Sequence, residues 1–164
     1  MTQNSYRSMQ ALLFLVSLLV MFASFYFQYV QQMQPCPLCL MQRYLVVLGV
    51  ILSLCAIIAD GNHKNLMSSL QIVTALAGCY FAGRQLWLQS LPLEQVPACL
   101  PGLDILIRYF PLKDVIHALF WGTAECSEHQ WQLLGLSMAT WSLFFFIAYF
   151  LSAILLRFRF LISK

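Results

Sequence analysis

Residues 11–30 read ALLFLVSLLVMFASFYFQYV, a stretch without one charged side chain. A helix needs about 20 apolar residues to cross the hydrocarbon core of a bilayer, so this run has the length of one crossing. No water in that core can pair exposed backbone N–H and C=O groups, and a helix pairs them within itself. No small-x-small cleavage site follows the run, so it reads as a retained first helix rather than a signal peptide. The same test finds three more spans, at about 40–59, 66–88 and 133–156, with Arg43 near the start of one and Arg84 near the end of another. A barrel would need alternating apolar and polar positions and many more segments. Composition agrees: 61% of residues are hydrophobic and 9% charged, against about 25% charged in soluble domains. The expected fold is a single all-α integral membrane domain over residues 1–164, a four-transmembrane-helix bundle with no room for a separate soluble domain.

Lys and Arg accumulate at cytoplasmic ends of spans. Arg7 precedes the first span, Lys64 lies in the Asp60–Asn65 turn, and Arg157, Arg159 and Lys164 follow the fourth. The connections at 31–39 and 89–132 lie on the other side. The first has no charge from Gln31 to Leu38; the second sets Glu94, Asp104, Asp114, Glu125 and Glu128 against Arg108 and Lys113. Both termini are therefore expected inside and both loops outside. Trp87, Trp121 and Trp131 fall near the outer interface, as an aromatic belt predicts, although ordinary packing would use them equally well. The net charge of +3 is too small to suggest a nucleic-acid partner.

Within the second loop, Leu112, Val115, Ile116, Leu119 and Phe120 recur at three- and four-residue spacing. The pattern predicts a short helix beginning just after Pro111, where proline suits an early helical position. Gly122 is placed to end it. An apolar face of this kind suits a helix lying in the interface plane, or one packed across the tops of the spans.

The chain has 6 cysteines. Cys36 and Cys39 form a CxxC between the first two spans, and Cys99 and Cys126 lie in the second loop. All four are expected on the outer side. Zinc sites share the CxxC motif, and Cys99 and Cys126 would complete the ligand number. Against metal, there is no second close pair, and an external compartment favours disulfides. Pro35 and Pro37 fix an extended entry, and Cys39 falls near a helix N-terminus, where free N–H groups stabilise a thiolate. Arg43 follows four residues later on the same face; it supports an anion there, or it snorkels to headgroups. If Cys99 and Cys126 pair, they close a large loop, as a structural staple would. Two disulfides on one face favour relay exchange, in which a thiolate of one attacks the other. Cys55 and Cys79, in mid-span, read as packing.

Electrons taken from a soluble dithiol need an acceptor. There is no GxGxxG for flavin or nicotinamide, and His63, His117 and His129 all fall in loops rather than in paired haem-ligand positions. Elimination leaves a lipid-soluble acceptor, such as a quinone beside Cys39 and Arg43.

These features together resemble the disulfide-bond formation protein B (DsbB) family, inner-membrane quinone reductases of Gram-negative bacteria. The resemblance rests on Pro35-Cys36-Pro37-Leu38-Cys39 with Gln42-Arg43, Val96-Pro97-Ala98-Cys99, Gly122-Thr123-Ala124-Glu125-Cys126, and Trp131 with Leu133-Leu134-Gly135-Leu136. It implies disulfides Cys36–Cys39 and Cys99–Cys126 on periplasmic loops. It implies that the thiolate of a reduced periplasmic oxidase, DsbA, attacks Cys99, and that electrons then pass to Cys36 and Cys39. It also implies that Cys39 lies closest to the quinone, that Arg43 supports quinone binding, and that ubiquinone, or menaquinone anaerobically, is the acceptor. No metal is implied. Two positions depart from many relatives: Gly-Thr-Ala-Glu precedes Cys126 in place of Gly-Ser-Gly-Glu, and position 42 is Gln where some carry Glu. Three rivals remain: a specialised paralogue serving a dedicated oxidase, the vitamin K epoxide reductase-like family, whose CxxC comes late in its bundle, and a membrane scaffold with structural disulfides.

Overall fold

In the computed structural model, the described residues are 3–58, 63–92, 105, 108–127 and 132–162. Among the described residues, four helices are long and apolar enough to cross a membrane: α1 (Gln3–Tyr29), α2 (Pro37–Ile58), α3 (His63–Gln89) and α5 (Met138–Ile162). Between α3 and α5 lie a short helix, α4 (Leu112–Trp121), and a 3-10 turn at Ala124–Ser127. The fold is thus the expected all-α membrane bundle. Its outer surface is a coat of exposed apolar side chains, among them Leu19, Phe22, Ile51, Val73 and Leu155. Water would penalise such a coat, and lipid does not.

Successive spans alternate in direction, so the C-terminal ends of α1 and α3 share one end of the bundle with the N-terminal ends of α2 and α5. α3 packs against both α2 and α5, and α1 lies on α2. The approach of α3 to α5 depends on Gly78, where a Cβ would run into the Phe146 ring. Away from the cysteines, a buried polar network joins all four spans. Gln10 Nε2 donates to Gln71 Oε1 at 3.1 Å, and Gln71 Nε2 returns a bond to Gln10 Oε1 at 2.9 Å. Gln71 Nε2 also reaches Ser53 Oγ at 3.2 Å, Ser53 Oγ meets Tyr149 OH at 3.0 Å, and Tyr149 OH donates to the Gly49 carbonyl at 3.1 Å. Between lipid-facing helices apolar burial does not choose a register; paired polar groups do.

α4 starts after Pro111 and ends at Gly122, at the sites of the predicted start and stop signals. The fourth span differs from expectation. It begins at Met138, not Leu133, because Gln132–Leu133 and Leu136–Ser137 form a small antiparallel hairpin. Leu134 and Gly135 turn it with φ of 56° and 77°, a backbone state that ends an apolar run that reads as continuous helix. Lys64 also differs. It lies in the first turn of α3 rather than in a loop, buried, with its ammonium 5.5 Å from the centre of the Tyr6 ring. Its charge is met by an aromatic face.

Candidate redox site

The connection after α1 ends at Cys36, which caps α2. The Cys36 carbonyl accepts the first helical bond, from Leu40 N–H at 3.0 Å. A helix start leaves its first N–H groups without internal partners, and here sulfur answers them. Pro37 has no N–H to satisfy. Leu38 gives a backbone hydrogen bond to the sulfur of Cys126. Cys39 N–H points at Cys36 Sγ, 3.4 Å away. The Cys36-Pro37-Leu38-Cys39 spacing thereby sets sulfur atoms in the positive field of a helix N-terminus.

Cys36 Sγ and Cys39 Sγ are 2.8 Å apart as free thiols. Cys126, on the 3-10 turn, also hydrogen-bonds Cys36. Cys36 is therefore the middle sulfur of three. Leu38, Phe81 and Leu88 wall the group, and Cys36 and Cys126 are buried at 4% and 0% exposure. Gly122 makes this approach possible. Its φ is +82°, and a Cβ there would lie 2.7 Å from Leu88 Cδ1 and 2.8 Å from Leu38 Cδ1. The end of α4 is tied to α3 as well, since Arg84 Nε donates to the Trp121 carbonyl at 3.3 Å.

Cys36 and Cys126, both outside the spans, have divergent acidities. The Cys126 thiol is held down at about 7, first by its hydrogen bond with Cys36; burial opposes this, and backbone groups of Thr123 and Leu38 assist it. The Cys36 thiol is pushed well up, first by Cys126, then by Cys39 and by burial. With all three reduced, Cys36 thus keeps its proton, and Cys126 is the more acidic of the two.

A glutamine pair reaches the sulfurs from the facing helices. Gln85 Nε2, on α3, donates to Cys39 Sγ at 3.2 Å and to Cys36 Sγ at 3.7 Å. Its carbonyl accepts from Gln42 Nε2 at 2.8 Å. Gln85 stood outside the sequence reading, because nothing in its local sequence marks it; only the α2–α3 register brings it to the CxxC.

Arg43 turns from the core toward α1. Its Nε donates to Ser24 Oγ at 2.9 Å, Nη2 to the Ser24 carbonyl at 3.3 Å and Nη1 to Gln28 Oε1, while the guanidinium carbon lies 5.0 Å from the centre of the Phe25 ring. These partners are neutral, and a guanidinium has five N–H donors, so the bonds to α1 leave donors over for a further acceptor. Ser24 and Gln28 were also invisible in the sequence as partners of Arg43.

Cys99 lies outside the described residues, as does Trp131. Cys79 is partly buried in α3. Cys55 is exposed on the outer face of α2, which corrects its reading as a packing residue; a thiol is apolar enough to face lipid. Trp87 and Trp121 are half exposed, both on the cysteine end of the bundle.

Comparison with known proteins places the sequence among named relatives. The family model described as "Disulfide bond formation protein DsbB" matches residues 6–156. Disulfide bond formation protein B of Hahella chejuensis is 45% identical over 147 residues, covering 87% of this chain and 88% of the relative. Disulfide bond formation protein B 1 of Pseudomonas aeruginosa is 38% identical over 145 residues, covering 87% and 89%. Disulfide bond formation protein B of a Psychrobacter species is 38% identical over 167 residues, covering 98% and 95%.

Proposed function

The chain belongs to the DsbB family, with its thiol-redox role in disulfide bond formation, and from that premise we propose that it reoxidises a periplasmic thioredoxin-like thiol oxidase and passes the electrons to membrane quinone. One observation carries the reading most strongly: Cys126, from a distant loop, rests on Cys36 of the CxxC. A staple needs two sulfurs and a relay needs at least three in contact.

In this account the resting protein carries the disulfides Cys36–Cys39 and Cys99–Cys126. The partner's thiolate attacks Cys99. A bond forms between the partner sulfur and Cys99, the Cys99–Cys126 bond breaks, and its electron pair leaves on Cys126. The partner's second thiolate then displaces Cys99, and the partner departs oxidised. Backbone groups of Thr123 and Leu38, which do not depend on the redox state of Cys36, favour the Cys126 thiolate as it leaves. It next attacks Cys36, its immediate neighbour, and the Cys36–Cys39 bond breaks with the electron pair on Cys39. Cys99 closes back on Cys126, releasing Cys36, and the CxxC is then reduced.

The donor set fits a quinone: a cation half-buried between α1 and α2, bonded only to neutral groups and with N–H donors to spare, is matched to a carbonyl oxygen that gains negative charge. Arg43 would hold that oxygen, with Ser24, Gln28 and Phe25 holding Arg43. When bound, the quinone supplies the two-electron sink that returns Cys36 and Cys39 to a disulfide. Ubiquinone is the expected acceptor in air and menaquinone without it. The exposed face of α4, with Leu112, Ile116 and Phe120, suits a helix lying on the lipid surface. The whole arrangement suits the inner membrane of a Gram-negative bacterium, with both termini in the cytoplasm.

The test is quinone reduction by the purified chain given a reduced DsbA-like oxidase. We expect turnover with ubiquinone, lost in Cys36→Ser, and a KM for quinone raised about tenfold in Arg43→Ala, the size of one lost charge-assisted bond. Absence of oxidase-dependent quinone reduction in the wild type would refute the proposal.

A further inference from the structure

We propose that Gln85 is a catalytic donor to the thiolate of Cys39, and that Gln42 is a positioning residue that holds the Gln85 amide in its donating orientation. The inference rests on the redox reading of the CxxC and assigns that pair a hydrogen-bonding partner of its own.

A primary amide has a donating end and an accepting end. Beside a thiolate the first stabilises and the second repels. Gln85 can turn either end toward the sulfurs by rotating its last torsion, so something must choose. Gln42 chooses: its Nε2 occupies the Gln85 carbonyl at 2.8 Å, leaving both hydrogens of Gln85 Nε2 for Cys39 at 3.2 Å and Cys36 at 3.7 Å. Both glutamines are buried, at 6% and 5% exposure. In such a setting a hydrogen bond to a charged acceptor is worth more than one to a neutral thiol.

The consequence falls on one step. When a thiolate attacks Cys36, the new bond forms at Cys36 Sγ, the Cys36–Cys39 bond breaks, and the electron pair arrives on Cys39. Gln85 stands 3.2 Å from the atom that receives it. A better-stabilised leaving thiolate leaves faster, and a better-stabilised reduced form makes the disulfide a stronger oxidant. A relative with Glu at position 42 would present a carboxylate to Gln85. That group accepts and does not donate once ionised, and it would turn the amide round. The Gln at 42 in this chain is thus part of how its CxxC is poised.

The measurement is the thiol–disulfide equilibrium of Cys36–Cys39 in the full-length protein in glutathione buffers, read by quantifying the linked peptide. Gln85→Leu keeps the side-chain volume and removes the donor. We expect its equilibrium to move toward the disulfide by about tenfold at pH 8, which is about 30 mV more reducing. Gln42→Leu should move it the same way by about threefold, since Gln85 keeps its place and loses only its orientation. Both deficits should close as the pH falls to about 5, because a neutral thiol makes little demand on the donor. A shift that persists unchanged at low pH, or none at pH 8 in a variant whose melting temperature matches wild type, would overturn the proposal. Should Gln85→Leu fail to fold, Gln42→Leu decides alone: no pH-dependent shift refutes it. The equilibrium needs neither a partner oxidase nor a quinone. A chain that shows these shifts yet reduces no quinone would sink the functional proposal and leave this one standing.

Discussion

Among the described residues, two glutamine pairs bridge helices, and they end differently. Gln10 and Gln71 bond each other reciprocally, each amide using both ends on the other, and the network continues to Ser53, Tyr149 and the Gly49 carbonyl. Gln42 and Gln85 bond once, and the free end of Gln85 is aimed at sulfur. The first pair closes on itself and fixes the register of the spans. The second is open toward atoms whose charge changes during exchange. The same residue type, similarly buried, is a fastener in one half of the molecule and a donor to reacting atoms in the other.

Substitutions can separate the two ends. The largest effect is expected at Gly122, which lets the chain pass Leu38 and Leu88 and so bring Cys126 to Cys36. Gly122→Ala adds a Cβ at 2.7–2.8 Å from two leucine methyls on a backbone with φ of +82°. We expect about 1–3 kcal/mol of lost stability, the range of overpacking and left-handed strain. Turnover per folded molecule should fall more than stability explains. Normal turnover would mean that Cys126 need not sit where it does. A smaller effect of opposite character is expected in the other half. Gln71→Leu breaks the reciprocal pair and should lower stability by about 1 kcal/mol while leaving quinone reduction per folded molecule unchanged. A loss of turnover there would erase the distinction between the two pairs.

The smallest and most local effect is on acidity. Cys126 ionises at about 7 in the reduced protein, below the usual thiol value of about 8.5. Its folded value is depressed, so the thiolate dominates above about 7 and is lost as the pH falls through it. The difference in thiolate absorbance between wild type and Cys126→Ser should titrate there. Cys36→Ala removes the leading cause and should move the midpoint upward. A midpoint that stayed put would mean that Cys36 is not the donor.

Much of this was legible in the chain because its signals are local. Four apolar runs mark the spans, Pro111 and Gly122 bracket α4, and Cys36-Pro37-Leu38-Cys39 announces both a helix start and a dithiol. The start of the fourth span misled, because Leu133 to Leu136 is apolar enough for helix while Leu134-Gly135 makes a turn. The contacts of Cys126 with Cys36, Gln85 with Cys39 and Arg43 with Ser24 and Gln28 were not legible. Each joins residues on different elements, and the register between membrane helices is fixed by polar contacts that no hydrophobic period encodes. The deep position of Lys64 was hidden for the same reason: its partner is the ring of Tyr6, on another helix.

The central claim is that Cys36 is the junction between the loop cysteine and the CxxC. Cys39→Ser tests it most directly, because Cys36 then loses its CxxC partner. Under a mild oxidant, peptide mapping of the full-length variant should find Cys36 linked to Cys126. A Cys36 that remains free, or that links to Cys99 in preference to Cys126, would contradict the account.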